Sequence, residues 1–346
     1  MKKVSIIGHF GFGFEHLDGQ TVKTKILATE LERRFEAEQV YKIDTNGGIK
    51  TLFKAPLQAF AAFKEAENVV MLPAHNALRI YGRILPVLRH FFKKRKLHYV
   101  VIGGWLPVFL KKRAGLEKCL KKFDGIYVES RAMKAELDQK GFSNVFVMPN
   151  CKKLNILKEE ELVYSTQEPY KLCTFSRVVK GKGIEDAAQA VKSINTKAGR
   201  NVFELNVYGP VDPNEKDWFK KLQQDFSDCV FYGGEVAFDK SVRVLKNHFA
   251  LLFPTQYYTE GIPGTIIDAY AAGLPVICSK WQNFSDIVDE GVTGFGYEFA
   301  NAEALQNVLE NVFENPKALS DMKPACIKKA REYLPEAVTD ILTKMM

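Results

Sequence analysis

The sequence predicts an α/β fold of two Rossmann-like domains, each built on an open parallel sheet. Three observations predict it. The chain has 346 residues, long for one domain and suited to two. Short apolar runs alternate with stretches of helical period along the whole length, the grammar of βαβ units. Residues 259–277, TEGIPGTIIDAYAAGLPVI, read as a glycine turn, a helix and a buried strand, preceded by another apolar run at 251–253. Such a helix start presents unpaired N–H groups to an anion at the carboxyl edge of the sheet. Glu260 sits at that mouth, and Asp268 lies eight residues on, expected on about the same helix face. A carboxylate beside an anion site suits a ligand that also carries hydroxyls, because hydroxyls can donate to it.

Taken in order, residues 4–7 read as a first buried strand. A loop rich in Gly and Phe follows and ends at Asp18-Gly19. Residues 20–35 have helical period, with Val22, Ile26, Leu27 and Leu31 at three and four. The pair Gly11-x-Gly13 invites a dinucleotide reading, which the missing third glycine and the long loop argue against. Asp44 ends the next strand as a ribose-binding acid would, which keeps that alternative open. Residues 69–72 read as a strand before His75, a residue that either lines the ligand-binding side or serves structure. Residues 77–96 read as a helix and 99–102 as a strand ending in Gly103-Gly104-Trp105. Between Arg79 and Lys122, cations interleave with apolar residues. That stretch reads as solvated amphipathic helices or as a contact with anionic lipid. A nucleic-acid patch ranks third, since no recognised binding module accompanies it.

Residues 125–129 and 145–148 read as further strands, and the polar, acidic 151–169 as a linker. The second half restarts with a strand at 171–175. Arg177 and Lys182 follow at a strand-to-helix junction, a good diphosphate site: Arg for bidentate contacts, Lys as a point charge. It is not a Walker A loop, because no Ser or Thr follows the Lys. Strands follow at 203–208 and 230–232, then Gly233-Gly234-Glu235-Val236. Helices are expected at 303–313 and 318–333, and a last one at about 335–346.

Composition narrows the class. The net charge of +8 and pI near 9.0 point to an anionic partner. Six scattered cysteines without a C-x-x-C pair argue for a reducing compartment and against a zinc site. No apolar run approaches the roughly 20 residues of a spanning helix.

Glu260 with Asp268 resembles the E-x7-E motif of the retaining glycosyltransferases of family 4, which have the GT-B fold. The phrase EGIPGTIIDAYAAGLPVI is similar to that family's EG-x-P-G-x-x-x-E-A-x-A-x-G-x-PV stretch, with Asp268 where the second Glu is usual. The run from Ser176-Arg177 to Lys182-Gly183 resembles its G-R-x-x-x-x-K-G signature, with Ser176 for the first Gly. Gly234, Glu235 and Val236 resemble its glycine turn beside the nucleotide base. Asp18-Gly19 occupy the place of a glycine pair that approaches the donor phosphates. Many members carry a histidine where this chain has Gly103-Gly104-Trp105. The resemblance covers nearly the whole chain and is specific over residues 171–295.

It implies two domains facing each other across a cleft. Residues 1–165 would bind the acceptor and 170–334 a nucleoside-diphosphate-sugar, with the last helix packing back on the first domain. Arg177, Lys182, Glu260, Gly261, Gly264, Thr265 and Asp268 would bind the donor, with Gly19, Gly234, Glu235 and Val236 beside them. Glu260, Arg177 and Lys182 would carry catalysis, and His75 and Trp105 would face the acceptor. The implied reaction is retaining hexosyl transfer without metal or cofactor, to a glycan or lipid-linked acceptor in surface-polysaccharide assembly. The protein would be cytoplasmic or peripheral on the cytoplasmic membrane face, with no nucleic-acid partner. An epimerase of the same fold and a non-catalytic basic binder of membrane or RNA are the alternatives.

Overall fold

The computed structural model describes residues 1–12, 19–45, 53–164 and 167–346. The chain divides into two compact units, Met1–Lys153 with Tyr333–Met346, and Leu154–Glu332. Each unit holds one six-stranded sheet, and every strand pair in both is parallel.

In the first unit the strands are β1 (Lys2–Gly8), β2 (Val40–Asp44), β3 (Ala66–Met71), β4 (Lys96–Val100), β5 (Gly125–Val128) and β6 (Val145–Val147). Their order is β2-β1-β3-β4-β5-β6, so the direction of winding reverses between β1 and β3. Ile6, Val70 and Val100 face one layer of helices, while Ile7, Val69 and Tyr99 face the other. Both faces are covered, which is why these strands read as continuous apolar runs rather than alternating ones. The last helix, Pro335–Thr343, packs on Gly19–Phe35. Arg34 fixes it by donating to Asp340 at 2.5 Å, Thr343 at 3.0 Å and the Glu336 carbonyl at 2.6 Å.

In the second unit the strands are β7 (Tyr170–Phe175), β8 (Phe203–Tyr208), β9 (Val230–Gly234), β10 (Ala250–Phe253), β11 (Val276–Ser279) and β12 (Gly294–Tyr297). Their order, β12-β11-β10-β7-β8-β9, reverses between β7 and β10. Ligands of open parallel sheets bind at that place, outside the carboxyl ends of the strands. The helix Ile184–Ala198 after β7 buries Ile184, Ala187, Val191 and Ile194, spaced three and four, against the sheet. Its buried Asn195 is fully used: it accepts from the Val202 and Phe203 amides at 2.9 and 3.0 Å and donates to the Phe203 carbonyl at 2.8 Å. Gly199, at φ +67°, ends the helix, as only glycine does without strain.

Several boundaries differ from the sequence reading. The helix expected at 77–96 runs over His75–Phe91, and β4 begins at Lys96 rather than residue 99. Arg95, half-buried, donates to the Phe63 carbonyl, so the basic run at 93–96 is the turn into a strand. The helix Ala55–Glu65 went unread, because its alanines give little periodic contrast. Residues 154–164, read as linker, belong to the second unit. The Leu157 N–H donates to the Ala271 carbonyl at 2.9 Å, and Leu162 lies against Gly273.

Lys323 is buried at the end of the Gly264–Ala271 helix, its ammonium 3.4 Å from the His248 carbonyl and 3.5 Å from that of Gly273. Burial pulls its pKa down to about 8 from 10.5. Below pH 8 both folded and unfolded chains carry the charge, and the folded one bears its desolvation. Between about 8 and 10.5 the folded chain sheds a proton that the unfolded chain keeps, so this residue's contribution to stability rises with pH. Denaturant titrations of the wild type and Lys323→Met should show the wild type gaining on the variant across that window. A pH-independent difference would refute the assignment.

Candidate active site

Of the residues read as donor-binding, Arg177, Lys182, Glu260, Gly264 and Thr265 converge on one pocket of the second unit, of about 740 Å³, lined by the segments at the carboxyl ends of β7, β8 and β10. From β7 come Phe175, Ser176, Arg177, Val179 and Lys182, and from β10 come Phe253, Tyr257, Glu260, Gly264 and Thr265. These are the two strands flanking the reversal, so the topology alone brings the two motifs together.

Close backbone packing sets the geometry. Gly183 has φ +68°, and a Cβ there would fall 2.0 Å from the Pro254 carbonyl oxygen. A side chain is therefore excluded where the helix Ile184–Ala198 starts. Gly209, at φ +134°, is held equally close to the Ser176 carbonyl. The Gln256 N–H donates to the Gly181 carbonyl at 2.9 Å and ties the two loops to each other.

Lys182 is the cation at the centre. Its Nζ lies 2.8 and 2.6 Å from the two carboxylate oxygens of Glu260 and 5.3 and 5.4 Å from the ring centroids of Phe253 and Tyr257. The aromatic walls remove water on those sides, leaving the Lys182 side chain 15% exposed. Glu260 also accepts from the buried Thr255 hydroxyl at 3.0 Å, while Asn283 donates to its main-chain carbonyl at 2.5 Å. Arg177 differs: its side chain is 66% exposed and pairs with Asp212 at 3.5 Å. The Asn214 amide, followed by Arg177, holds the Asp212 carboxyl below its ordinary range.

The Gly264–Ala271 helix starts in the same pocket, with Pro263 as its cap. The Gly264 and Thr265 amides belong to the first turn, whose N–H groups have no partner within the helix. Among the described residues, the buried Thr265 hydroxyl oxygen has no hydrogen-bond partner either. Donors aimed at a pocket beside a lysine make an anion site.

The structure corrects one expected relation. Glu260 is not on the helix with Asp268; it lies in the loop before Pro263, and only Asp268 is helical. Pro263 starts the helix later than the apolar pattern suggests. Asp268 is 3% exposed and does not line the pocket, whereas Gly261 is half-buried next to Glu260. Gly234, with φ +77°, Glu235 and Val236 follow β9 at the same carboxyl edge, two strands from β7. Thr255, Tyr257, Asp212 and Glu215 were not marked by the sequence reading. Their only sequence signal is position, since they follow strands β10 and β8.

In the first unit, His75 stacks on Trp105 at 4.1 Å and meets Phe109 edge-on at 5.4 Å. Partial burial, then Arg79 and Arg113, lower the His75 pKa from its ordinary value. Both residues follow strands, β3 and β4, at the carboxyl edge. Gly19 opens the Gly19–Phe35 helix, and a side chain there would meet nothing within 4 Å among the described residues. Its neighbour Asp18 lies outside the described residues. The Asp44 carboxylate accepts from the Phe10 and Phe12 amides at 2.9 and 3.0 Å. Among the described residues no group of three or more His, Cys, Asp or Glu is placed to hold a metal ion, and no helix is long and apolar enough to cross a membrane.

Comparison with known proteins agrees with this geometry. A family model described as "Glycosyl transferases group 1" matches residues 158–332, half of the chain. The amylovoran biosynthesis glycosyltransferase AmsK of Erwinia amylovora is 25% identical over 146 residues, 41% of this chain and 35% of that protein. The chain thus spans about a third of the length of the curated relatives it matches. The structure of a sucrose-phosphate synthase from Thermosynechococcus elongatus superposes with a TM-score of 0.73 at 16% identity, covering 100% of this chain and 98% of that one. Anabaena Alr3699/HepE in complex with UDP gives 0.72 at 13%, covering 99% of each. At such identities the likeness shows the fold, which is GT-B.

Proposed function

The chain belongs to the glycosyl transferases of group 1, and from that premise we propose that it moves a hexose from a nucleoside-diphosphate-sugar to a glycan or lipid-linked acceptor, with retention. The observation that carries this reading is the convergence of Lys182, the Gly264 and Thr265 amides and Glu260 on one pocket. In the transfer, the bond from the anomeric carbon to the diphosphate oxygen breaks, a bond to an acceptor hydroxyl oxygen forms, and that hydroxyl's proton passes to the departing diphosphate. Charge grows on the departing diphosphate. In this reading Lys182, the two amides and the more exposed Arg177 meet it, and one such fixed donor is often worth about 3 kcal/mol in the transition state. The reading assigns that work to fixed cations and amides, with no metal or cofactor. Glu260 accepts from donor-sugar hydroxyls and Gly234 to Val236 lie by the base, while Asp268, buried behind the pocket, would reach a ribose only by a shift of its helix. The first unit, with His75 and Trp105 at its sheet edge, receives the acceptor. The amylovoran relative supports surface-polysaccharide assembly as the setting, with the protein on the cytoplasmic side of the membrane.

A thermal-shift screen against nucleoside diphosphates and nucleotide sugars tests the reading. A ligand at 100 times its Kd stabilises the folded state by about 2.7 kcal/mol, a shift of several degrees. No response to any nucleotide would overturn the donor site. Conversion of a nucleotide sugar without any acceptor would favour an epimerase.

A further inference from the structure

We propose that one helical face of the first unit docks on an anionic lipid bilayer. The proposal locates the surface that a lipid-linked acceptor would require and rests on that reading for its biological role. Three helices lie side by side on the first sheet: Ala55–Glu65, His75–Phe91 and Ala114–Leu120. Their inner sides bury Ala59 and Phe63, Leu78 and Leu85, and Leu116 and Leu120. Their outer sides are not those of a water-facing helix. Leu57 and Phe60, three residues apart, share one helix face, and Phe53 lies just before the helix start, with Phe53 83% and Leu57 75% exposed. On the next helix Arg79, Arg83, Val87 and Phe91 repeat every four residues, and Phe91 is 75% exposed. Phe92 meets Phe60 edge-on at 5.8 Å, so the two faces adjoin.

The charges around them share one sign. Lys54, Lys64, Arg83, Lys93, Lys94 and Lys122 are exposed. The three acids of this stretch, Glu65, Glu67 and Glu117, are half-buried, and Glu67 and Glu117 are paired with Lys3 and Lys121. A hollow of about 780 Å³ beside Val87 and Phe91 is lined by Lys93, Lys121 and Lys122. Outward aromatics ringed by cations match the interface of an anionic bilayer, where apolar tips enter the acyl boundary and ammonium groups meet headgroup phosphates. A soluble polyanion would need the lysines and leave the exposed Phe and Leu unexplained.

The test is sedimentation of the full chain with vesicles of phosphatidylcholine alone or mixed with phosphatidylglycerol. The wild type should prefer the anionic vesicles, and added salt should weaken the binding. Phe53→Ser, Leu57→Ser and Phe91→Ser combined should lower partitioning tenfold or more. Lys93→Gln with Lys94→Gln should lower it at low salt. All five positions face outward, so melting temperature should stay put in both variants. Equal binding to both vesicle types, no binding, or wild-type binding by the triple variant would overturn the proposal, the last pointing to an acidic protein or soluble polyanion. The nucleotide-induced thermal shift is read in the same samples. Its absence would sink the glycosyltransferase reading while leaving a positive lipid result standing.

Discussion

Lys182→Ala is expected to weaken nucleoside diphosphate binding by about 10²-fold, and Arg177→Ala by less than tenfold. The sequence gives these two cations equal standing, but the structure separates them. Lys182 is walled by Phe253 and Tyr257, and a hydrogen bond to a charged partner in such surroundings contributes about 1.5–3 kcal/mol. Its loss has a second effect. Glu260 would be left in the pocket without its counter-ion, facing a ligand of its own sign. The exposed Arg177 interacts through water and shares itself with Asp212, where pairs contribute about 0–1 kcal/mol. Titration calorimetry of both variants against UDP and GDP measures the difference. An Arg177→Ala defect as deep as that of Lys182→Ala would mean that the exposed arginine, not the enclosed lysine, holds the diphosphate. Adding Glu260→Gln to Lys182→Ala should return part of the lost affinity, since the stranded carboxylate is then gone.

The parts of this molecule legible from sequence are those where a local rule leaves few choices. Central strands such as β10 and β11 stand out because burial on two faces makes them almost wholly apolar. Gly183 sits where a Cβ would strike a carbonyl, so the glycine that closes the run at 176–183 is legible as a turn. The illegible parts depend on partners distant in sequence. Nothing local says that Lys182 pairs with Glu260, 78 residues away, because that contact is made by the neighbouring of β7 and β10. The lysine-rich stretch from 93 to 96 looked helical because cations favour helices, yet the ladder with β3 made it a strand start. The exposed apolar group of Phe53, Leu57 and Phe60 was passed over for a different reason. An exposed Phe and a buried one are the same letter, and only the packing of Ala59 and Phe63 beneath tells which face looks out.

Glu260→Gln is expected to cut transfer by 10²-fold or more while strengthening the binding of free nucleoside diphosphate several-fold. The substitution keeps the shape and an oxygen that can accept from Thr255 but removes the charge. Turnover falls because a neutral amide is a weaker acceptor for sugar hydroxyls whose polarity grows as positive charge develops at the anomeric carbon. The binding effect has the opposite sign for a separate reason. Glu260 engages Lys182 through both oxygens, at 2.8 and 2.6 Å, and a diphosphate must take that ammonium away from it. Two unit charges at such a separation interact by about 6 kcal/mol at an effective dielectric of 20. Most of that is recovered in the new contact, leaving a modest net gain for the variant. From the motif alone, free diphosphate should be indifferent to this residue; the ion pair is what makes the expectation signed. Calorimetry with UDP and GDP, run beside initial rates with a saturating acceptor, reads both quantities. Tighter diphosphate binding with lost turnover fits a carboxylate that holds the lysine until the donor arrives and then turns to the sugar. Weaker binding in Glu260→Gln would show that Glu260 fixes Lys182 in place for the phosphate, and the exchange of partners would have to be abandoned.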